Sequence, residues 1–229
     1  MNRLTRLVSA FALAAASALP ASAQQMLTVI CPVGGERFQF KDPAPLASRE
    51  TYLDQRPVDP AAPWPHAKCP SNGFVLYKSS FSDAELARLR PIVATDKYRA
   101  LAATHTTHYL EAVLRRELGE SPYAVAWALV QATWEAGGDP ARYRQYAQEA
   151  LATYDAIPLA ALPEIRHRIL KRMLSAELAR RLGQFESARD RLLEMRDAAE
   201  LSKPFLQRIV ELQLKLVRAK DSRPHKIPY

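Results

Sequence analysis

Two histidines and one glutamate recur at helical spacing near the middle of the chain. His105 and His108 are three residues apart, and Glu111 follows after three more. On a helix these positions share one face, where two imidazoles and a carboxylate bind zinc or iron. The order differs from the His-Glu-x-x-His of zinc proteases, so we prefer a polar helix face packed against the preceding region. We expect no metal, no cofactor and no catalytic histidine, with a metal-dependent enzyme built on this trio as the alternative.

Other catalytic patterns are missing from the sequence. It contains no Gly-x-Ser-x-Gly elbow, no Walker phosphate loop and no dinucleotide fingerprint. Glu135 and Asp139 could meet in space, although their spacing alone does not place them together. Trp127 and Trp134 lie seven residues apart on one predicted helix face, which favours the core over a ligand-stacking wall. We therefore expect a non-catalytic protein.

The two cysteines stand in matching pentapeptides, Cys-Pro-Val-Gly-Gly at 31–35 and Cys-Pro-Ser-Asn-Gly at 69–73. The pair resembles the two Cys-Pro-x-Cys-Gly knuckles of a zinc ribbon in which each second cysteine has been replaced. The resemblance implies that Cys31 and Cys69 lie close together, and in an oxidising compartment it implies a disulfide. The alternatives are a metal site of both cysteines with His66, and free thiols. Without a Cys-x-x-Cys pair, a redox role is not expected.

The first 23 residues are typical of an export signal. Two arginines give a positive start, and residues 7–19 form an apolar stretch too short to cross a bilayer. Ala21 and Ala23 then supply the small residues that signal peptidase needs. We expect cleavage after Ala23 and a soluble mature chain of 206 residues, periplasmic or secreted, without a transmembrane segment.

Composition changes near residue 80. Eight of the 17 prolines lie between residues 31 and 70, which excludes long helices and central strands there. We interpret residues 24–80 as a small ribbon-like region. Its expected short strands are Leu27–Cys31, Arg37–Phe40 and Phe74–Tyr77.

Residues 81–220 carry helical periodicity, and residues 221–229 form a tail. Ser82 and Glu85 make a capping-box pattern, and Ser-Pro and Asp-Pro pairs mark two later helix starts. The expected helices are one from Ser82 with a kink or stop near Pro91, Asp96–Leu118, Pro122–Glu135, Pro140–Tyr154, one ending at Leu182, Phe185–Ala199 and Lys203–Lys220. These elements predict a mainly α fold of helical hairpins behind a small β-containing region.

One turn carries a second resemblance. Residues 183–188, Gly-Gln-Phe-Glu-Ser-Ala, resemble the turn inside a tetratricopeptide repeat, and Trp127 and Trp134 precede Gly138 at that repeat's spacing. A degenerate ribbon followed by such repeats is similar in layout to bacterial proteins that pair these two parts. The resemblance implies a solenoid with a groove for peptides or partner proteins. A closed helical bundle is the alternative architecture.

Positive charge is concentrated in the last third of the chain. Residues 163–229 carry 16 basic and nine acidic side chains, whereas the whole chain has a net charge of +8. The basic residues expected outside the apolar stripe of the first helix there are Arg168, Lys171, Arg172 and Arg180. Export removes nucleic acid as a partner, so we expect the first three to bind an acidic protein or peptide. Anionic envelope polymers, and the broad apolar face of the last helix, are the alternatives.

Overall fold

A computed structural model describes residues 25–43, 48–59, 62–198 and 203–228, and the predicted export signal lies outside these ranges. The described helices are α1 (Asp83–Val93), α2 (Asp96–Thr104), α3 (Thr107–Leu118), α4 (Pro122–Glu135), α5 (Pro140–Asp155), α6 (Ile165–Arg181), α7 (Phe185–Arg196) and α8 (Pro204–Arg218). The described strands are β1 (Gln25–Ile30), β2 (Arg37–Asp42), β3 (Ala67–Lys68) and β4 (Val75–Leu76). The mainly α fold with a small β region near the N-terminus is confirmed. None of the helices in these ranges combines the length and apolar character needed to span a membrane.

Each Cys-Pro pentapeptide forms the turn of a short β-hairpin. β1 pairs with β2, and β3 pairs with β4, both antiparallel. In the first turn the Gly35 N–H donates to the Cys31 carbonyl, and the Cys31 N–H donates to the carbonyl five residues later; Gly73 and Cys69 repeat both bonds. Gly35 and Gly73 have φ values of 78° and 75°, which glycine adopts without strain. The two pentapeptides therefore share one backbone geometry.

Local capping fixes where several helices begin and end. Ser82 and Glu85 exchange the two hydrogen bonds of a capping box at the start of α1. Ser121 and Asp139 cap α4 and α5, and each is followed by a proline at the first helical position. Gly119 ends α3 with a φ of 70°. Because these signals act within a few residues, the predicted starts of these helices agree with the structure.

The single helix expected over Asp96–Leu118 is wrong, because the chain divides it into α2 and α3. His105 has extended backbone angles, with φ −108° and ψ 161°. Tyr146 of α5 compensates for the lost helical bonds: its hydroxyl oxygen accepts from the Thr106 N–H at 3.3 Å and lies 2.9 Å from His105 Nδ1. A tertiary contact that helical periodicity does not encode therefore sets this break.

The helices pack in chain order, since α3 packs on α4 and each helix from α4 to α8 packs on the next. The larger of two hydrophobic cores lies mainly among α3–α8 and contains Trp134. Trp127 is partly buried and packs against it, with the ring centroids 5.6 Å apart. The predicted core position is therefore confirmed for Trp134. A smaller core joins the two hairpins to α1–α3 through Phe74, Leu89 and Leu110. The hairpins and the first three helices thus share one hydrophobic cluster.

The end of the chain returns to the N-terminal region. The Leu53 N–H donates to the His225 carbonyl at 2.8 Å, and the Ile227 N–H donates to the Thr51 carbonyl at 2.8 Å. Ile227 is buried in the larger core. The described part of the predicted tail is therefore a packed element that holds the N-terminal region against the helices.

Arg180 holds the C-terminal segment against α6. Its expected position outside the apolar stripe of α6 is therefore corrected. The side chain is fully buried, and its guanidinium donates to the carbonyl oxygens of Asp221 and Arg223. Glu177 pairs with it at 2.6 Å. Burial raises the pKa of Glu177, and the Arg180 charge opposes that shift. The tail covers the face of α6 that the periodicity of the helix assigned to solvent.

Candidate functional site

Metal-ligating side chains converge where the proline-rich segment crosses α3. His66 precedes β3, whereas His108 and Glu111 lie one turn apart on α3. One ligand atom from each residue lies within 4.8 Å of the other two. His66 Nε2 is 2.7 Å from Glu111 Oε2, and the two imidazole ring centroids are 4.3 Å apart. We call His66, His108 and Glu111 the histidine cluster.

Glu111 is held from two sides and is only 4% exposed. Its Oε1 accepts a hydrogen bond from Arg115 Nε at 2.7 Å, while its Oε2 faces His66. Burial raises the pKa of Glu111, but the hydrogen bond with His66 and the charges of His66 and Arg115 outweigh burial and lower that pKa. The carboxylate is therefore ionised at neutral pH.

Glu135, the last residue of α4, closes the histidine cluster on its other side. Its Oε2 accepts from the His108 N–H at 2.8 Å and lies 3.2 Å from His108 Nδ1. Its Oε1 accepts from the Thr107 hydroxyl at 2.6 Å. Burial raises the pKa of Glu135, but the contacts with His108 and Thr107 outweigh it and lower the pKa to about 2. The carboxylate thus serves as a cap for α3, placing negative charge at the positive end of that helix.

His105 lies outside the histidine cluster, so the metal-binding trio of His105, His108 and Glu111, which was the alternative to a polar helix face, is not assembled. Its Nδ1 lies at hydrogen-bond distance from the Tyr146 hydroxyl, and its ring stacks on Tyr109 with centroids 4.1 Å apart. Burial lowers the pKa of His105, and the charge of Arg142 adds to that shift. The break between α2 and α3 removes the helical spacing on which the trio depended. His66 takes its place from a segment that no local spacing rule connects to α3.

Two clefts adjoin beside these residues. The larger, of about 620 Å³, is lined by residues that include Arg56, Trp134, Tyr143 and Arg181. The smaller, of about 320 Å³, is lined by residues that include Pro65, Lys68, His105 and Thr107. Pro63 and Glu135 line both clefts, which are therefore neighbours. We call the two clefts together the seam groove, because they follow the seam between the N-terminal region and the helices.

Several buried donors beneath the surface of the larger cleft have no hydrogen-bond partner among the described residues. They are Trp134 Nε1, Tyr143 Oη and Arg181 Nε. The Arg181 guanidinium lies 3.7 Å from Asp54 and 4.7 Å from the Tyr143 ring centroid. Buried donors without a partner are uncommon in native proteins, and a bound water or ligand is a common explanation. These donors lie beneath the cleft surface, where Arg56 and Arg181 are matched by Asp54 and Glu135.

The two cysteines lie inside the smaller core. Their sulfur atoms are 2.18 Å apart, at disulfide distance, and their Cα atoms are 5.6 Å apart. Each residue is 1% exposed. His66, the third ligand of the alternative metal site, lies in the histidine cluster instead, so that site is not assembled. The cysteines connect the two hairpins.

The basic residues expected to bind a partner are only partly exposed. Arg168 Nη1 donates to the carbonyl oxygens of Leu162 and Pro163. Lys171 and Arg172 line a small cleft of about 100 Å³ between α6 and α7, and burial lowers the pKa of Lys171. Their role toward a partner stays a prediction, and the seam groove offers a larger concave surface.

Comparison of the chain with protein families, curated proteins and solved structures gives no match. The resemblances to a zinc ribbon and to a tetratricopeptide repeat stay interpretations of the sequence. A functional assignment therefore rests on the geometry of the histidine cluster and the seam groove.

Proposed function

We propose that this protein is an exported, non-catalytic helical-repeat module that binds an extended segment of a partner protein in the seam groove. The observation that carries the proposal is that two clefts lie side by side, with Pro63 and Glu135 in the lining of both. Export is supported by the signal-like first 23 residues. Export is also consistent with the cysteine pair at disulfide distance, because disulfides persist in oxidising compartments such as the periplasm.

The seam groove is lined by three cations, Arg56, Arg181 and Lys68, and by two carboxylates, Asp54 and Glu135. This small positive surplus favours an acidic segment. Arg56 stacks over the Tyr52 ring at 4.1 Å, and Arg181 lines the same cleft. An extended peptide offers a carbonyl at every residue, and acidic side chains add carboxylates that pair well with guanidinium groups. A third cleft, of about 450 Å³ between α2 and α3, is smaller than the larger cleft of the seam groove and has no second cleft sharing its lining among those described. The seam groove is therefore the better binding surface.

Site-specific photo-crosslinking in the native envelope tests this proposal. One photoreactive residue replaces Lys68, on the exposed edge of the smaller cleft. A matched control replaces Arg189, whose side chain is 55% exposed on α7. We expect the position at 68 to capture a discrete partner, and Arg56→Glu to abolish that capture. Equal capture from both positions, or capture unaffected by Arg56→Glu, would reject the seam groove as the binding surface.

A further inference from the structure

We propose that the histidine cluster binds one divalent transition-metal ion, with zinc as the best-matched ion. The ligands are one nitrogen each of His66 and His108 and one oxygen of Glu111. Their ligand atoms already lie within 4.8 Å of one another. A tetrahedral zinc site has bonds of roughly 2.0–2.2 Å, which places its ligand atoms roughly 3–4 Å apart. Small rotations of the three side chains therefore suffice to close the site.

The position is buried on the helix side and open at His66. His108 and Glu111 are 3% and 4% exposed, whereas the His66 side chain is 22% exposed and gives an ion its route of entry. Glu111 and Glu135 bring two negative charges, and Arg115 brings one positive charge. Metal binding requires both imidazoles to be deprotonated. In that state the surplus charge is negative, so a buried cation is electrostatically favoured there.

A second layer of contacts orients the ligand atoms. Imidazoles that bind metals usually donate their other ring N–H to a carboxylate or carbonyl. Glu135 Oε2 lies 3.2 Å from His108 Nδ1. That nitrogen has no hydrogen-bond partner among the described residues, so a small rotation of the ring would let it donate to Glu135 and present Nε2 to the ion. Arg115 donates to Glu111 Oε1, which leaves Oε2 on the side of His66. Both neighbours therefore favour the protonation and orientation that a metal ion requires.

The ligand set selects the kind of ion. Imidazole nitrogens favour zinc and other late first-row metals, whereas magnesium and calcium prefer sites made of oxygen atoms. Three protein ligands leave one coordination position for water or another group. The ion would tie His66 to α3, and the neighbouring Pro65 lines the seam groove. Metal binding would thereby fix one wall of that groove without requiring that the groove bind a peptide.

The test is zinc binding by the untagged, oxidised mature protein, measured by equilibrium dialysis and calorimetry. We expect one zinc per chain, and at least a hundredfold weaker binding in His66→Ala and in His108→Ala. Glu135→Gln, which changes a positioning residue, should weaken binding about 10- to 100-fold. His105→Ala is the matched control and should bind as the wild type does. Magnesium at the same concentrations should not bind.

Zinc should also raise the Tm of the wild type and of His105→Ala, but not that of His66→Ala. The partly exposed His66 is the ligand whose replacement least disturbs the core, and circular dichroism checks the fold of each variant. A folded wild type without stoichiometric zinc binding overturns the proposal, and this measurement needs no variant. Unchanged binding in the His66→Ala/His108→Ala double variant, or loss in His105→Ala alone, overturns it as well.

Discussion

Removing the bond between Cys31 and Cys69 should lower the free energy of unfolding by about 4 kcal/mol. The two residues are separated by 38 positions. For a loop of this length the chain-entropy relation gives about 13 cal/mol/K, or about 4 kcal/mol at 25 °C. Because natural domains are stable by about 5–15 kcal/mol, this loss is a large fraction of the total. The loss of stability should appear first in the smaller core, where both sulfurs are buried.

The assay compares urea unfolding of oxidised wild type, reduced wild type and the Cys31→Ala/Cys69→Ala variant, followed by circular dichroism. The alanine variant also loses buried volume, so the reduced wild type isolates the effect of the cross-link. For a chain of this size, about 4 kcal/mol corresponds to a decrease in Tm of about 8–16 °C. The alanine variant should not respond to reductant.

Two findings would refute this reasoning. Thiol labelling of the denatured, non-reduced protein should detect no free thiol, so two labelled thiols would mean that the bond does not form. An unchanged unfolding midpoint after verified reduction would mean that the cross-link does not constrain the unfolded chain.

Three further changes test individual contacts. Tyr143→Phe removes a buried hydroxyl that has no partner among the described residues, so the Tm should stay level or rise; a loss above about 1 kcal/mol would reveal a partner. Arg180→Met leaves Glu177 buried without its partner, so urea unfolding should show a loss of about 3–5 kcal/mol, while the exposed control Arg189→Met should change stability by less than about 1 kcal/mol. Hydrogen bonds from Lys78 and Ser82 lower the pKa of Glu85 from 4.5 to about 2, so its stabilising effect is complete above pH 4.5 and is lost as pH falls toward 2. Glu85→Gln should flatten that part of the Tm profile, and an identical acid profile would contradict this assignment.

Most helix ends could be predicted from the sequence, because the residues that determine them lie within a few positions of the end. Ser121 and Asp139 each precede a proline, and both cap the helix that follows. The two hairpin turns were predictable for the same reason. In each turn the backbone hydrogen bonds of the cysteine and the glycine join residues within a six-residue segment. Glu135 and Asp139 show where local reasoning ends, because Asp139 caps α5 while Glu135 crosses to α3.

The candidate site escaped prediction because it depends on contacts between distant segments. Tyr146 stabilises the break that removes His105 from the face of α3. His66 reaches Glu111 across 45 positions, from a proline-rich segment without helical or strand periodicity. Arg180 is buried by a tail more than 40 residues later. The residue pattern within one helix or strand does not encode such contacts with distant segments of the chain.

If the seam groove binds an extended acidic segment, Arg56 should contribute to the equilibrium affinity for that segment. The segment captured by crosslinking is made as a fluorescent peptide, and its anisotropy is titrated with wild type, Arg56→Glu and the control Arg189→Glu. We predict at least tenfold weaker binding for Arg56→Glu, unchanged binding for Arg189→Glu, and weakening as salt screens the charges. Equal affinity for wild type and Arg56→Glu would contradict the claim. If reversal of Arg168, Lys171 and Arg172 to glutamate alone weakened binding, the contact surface would be α6 instead.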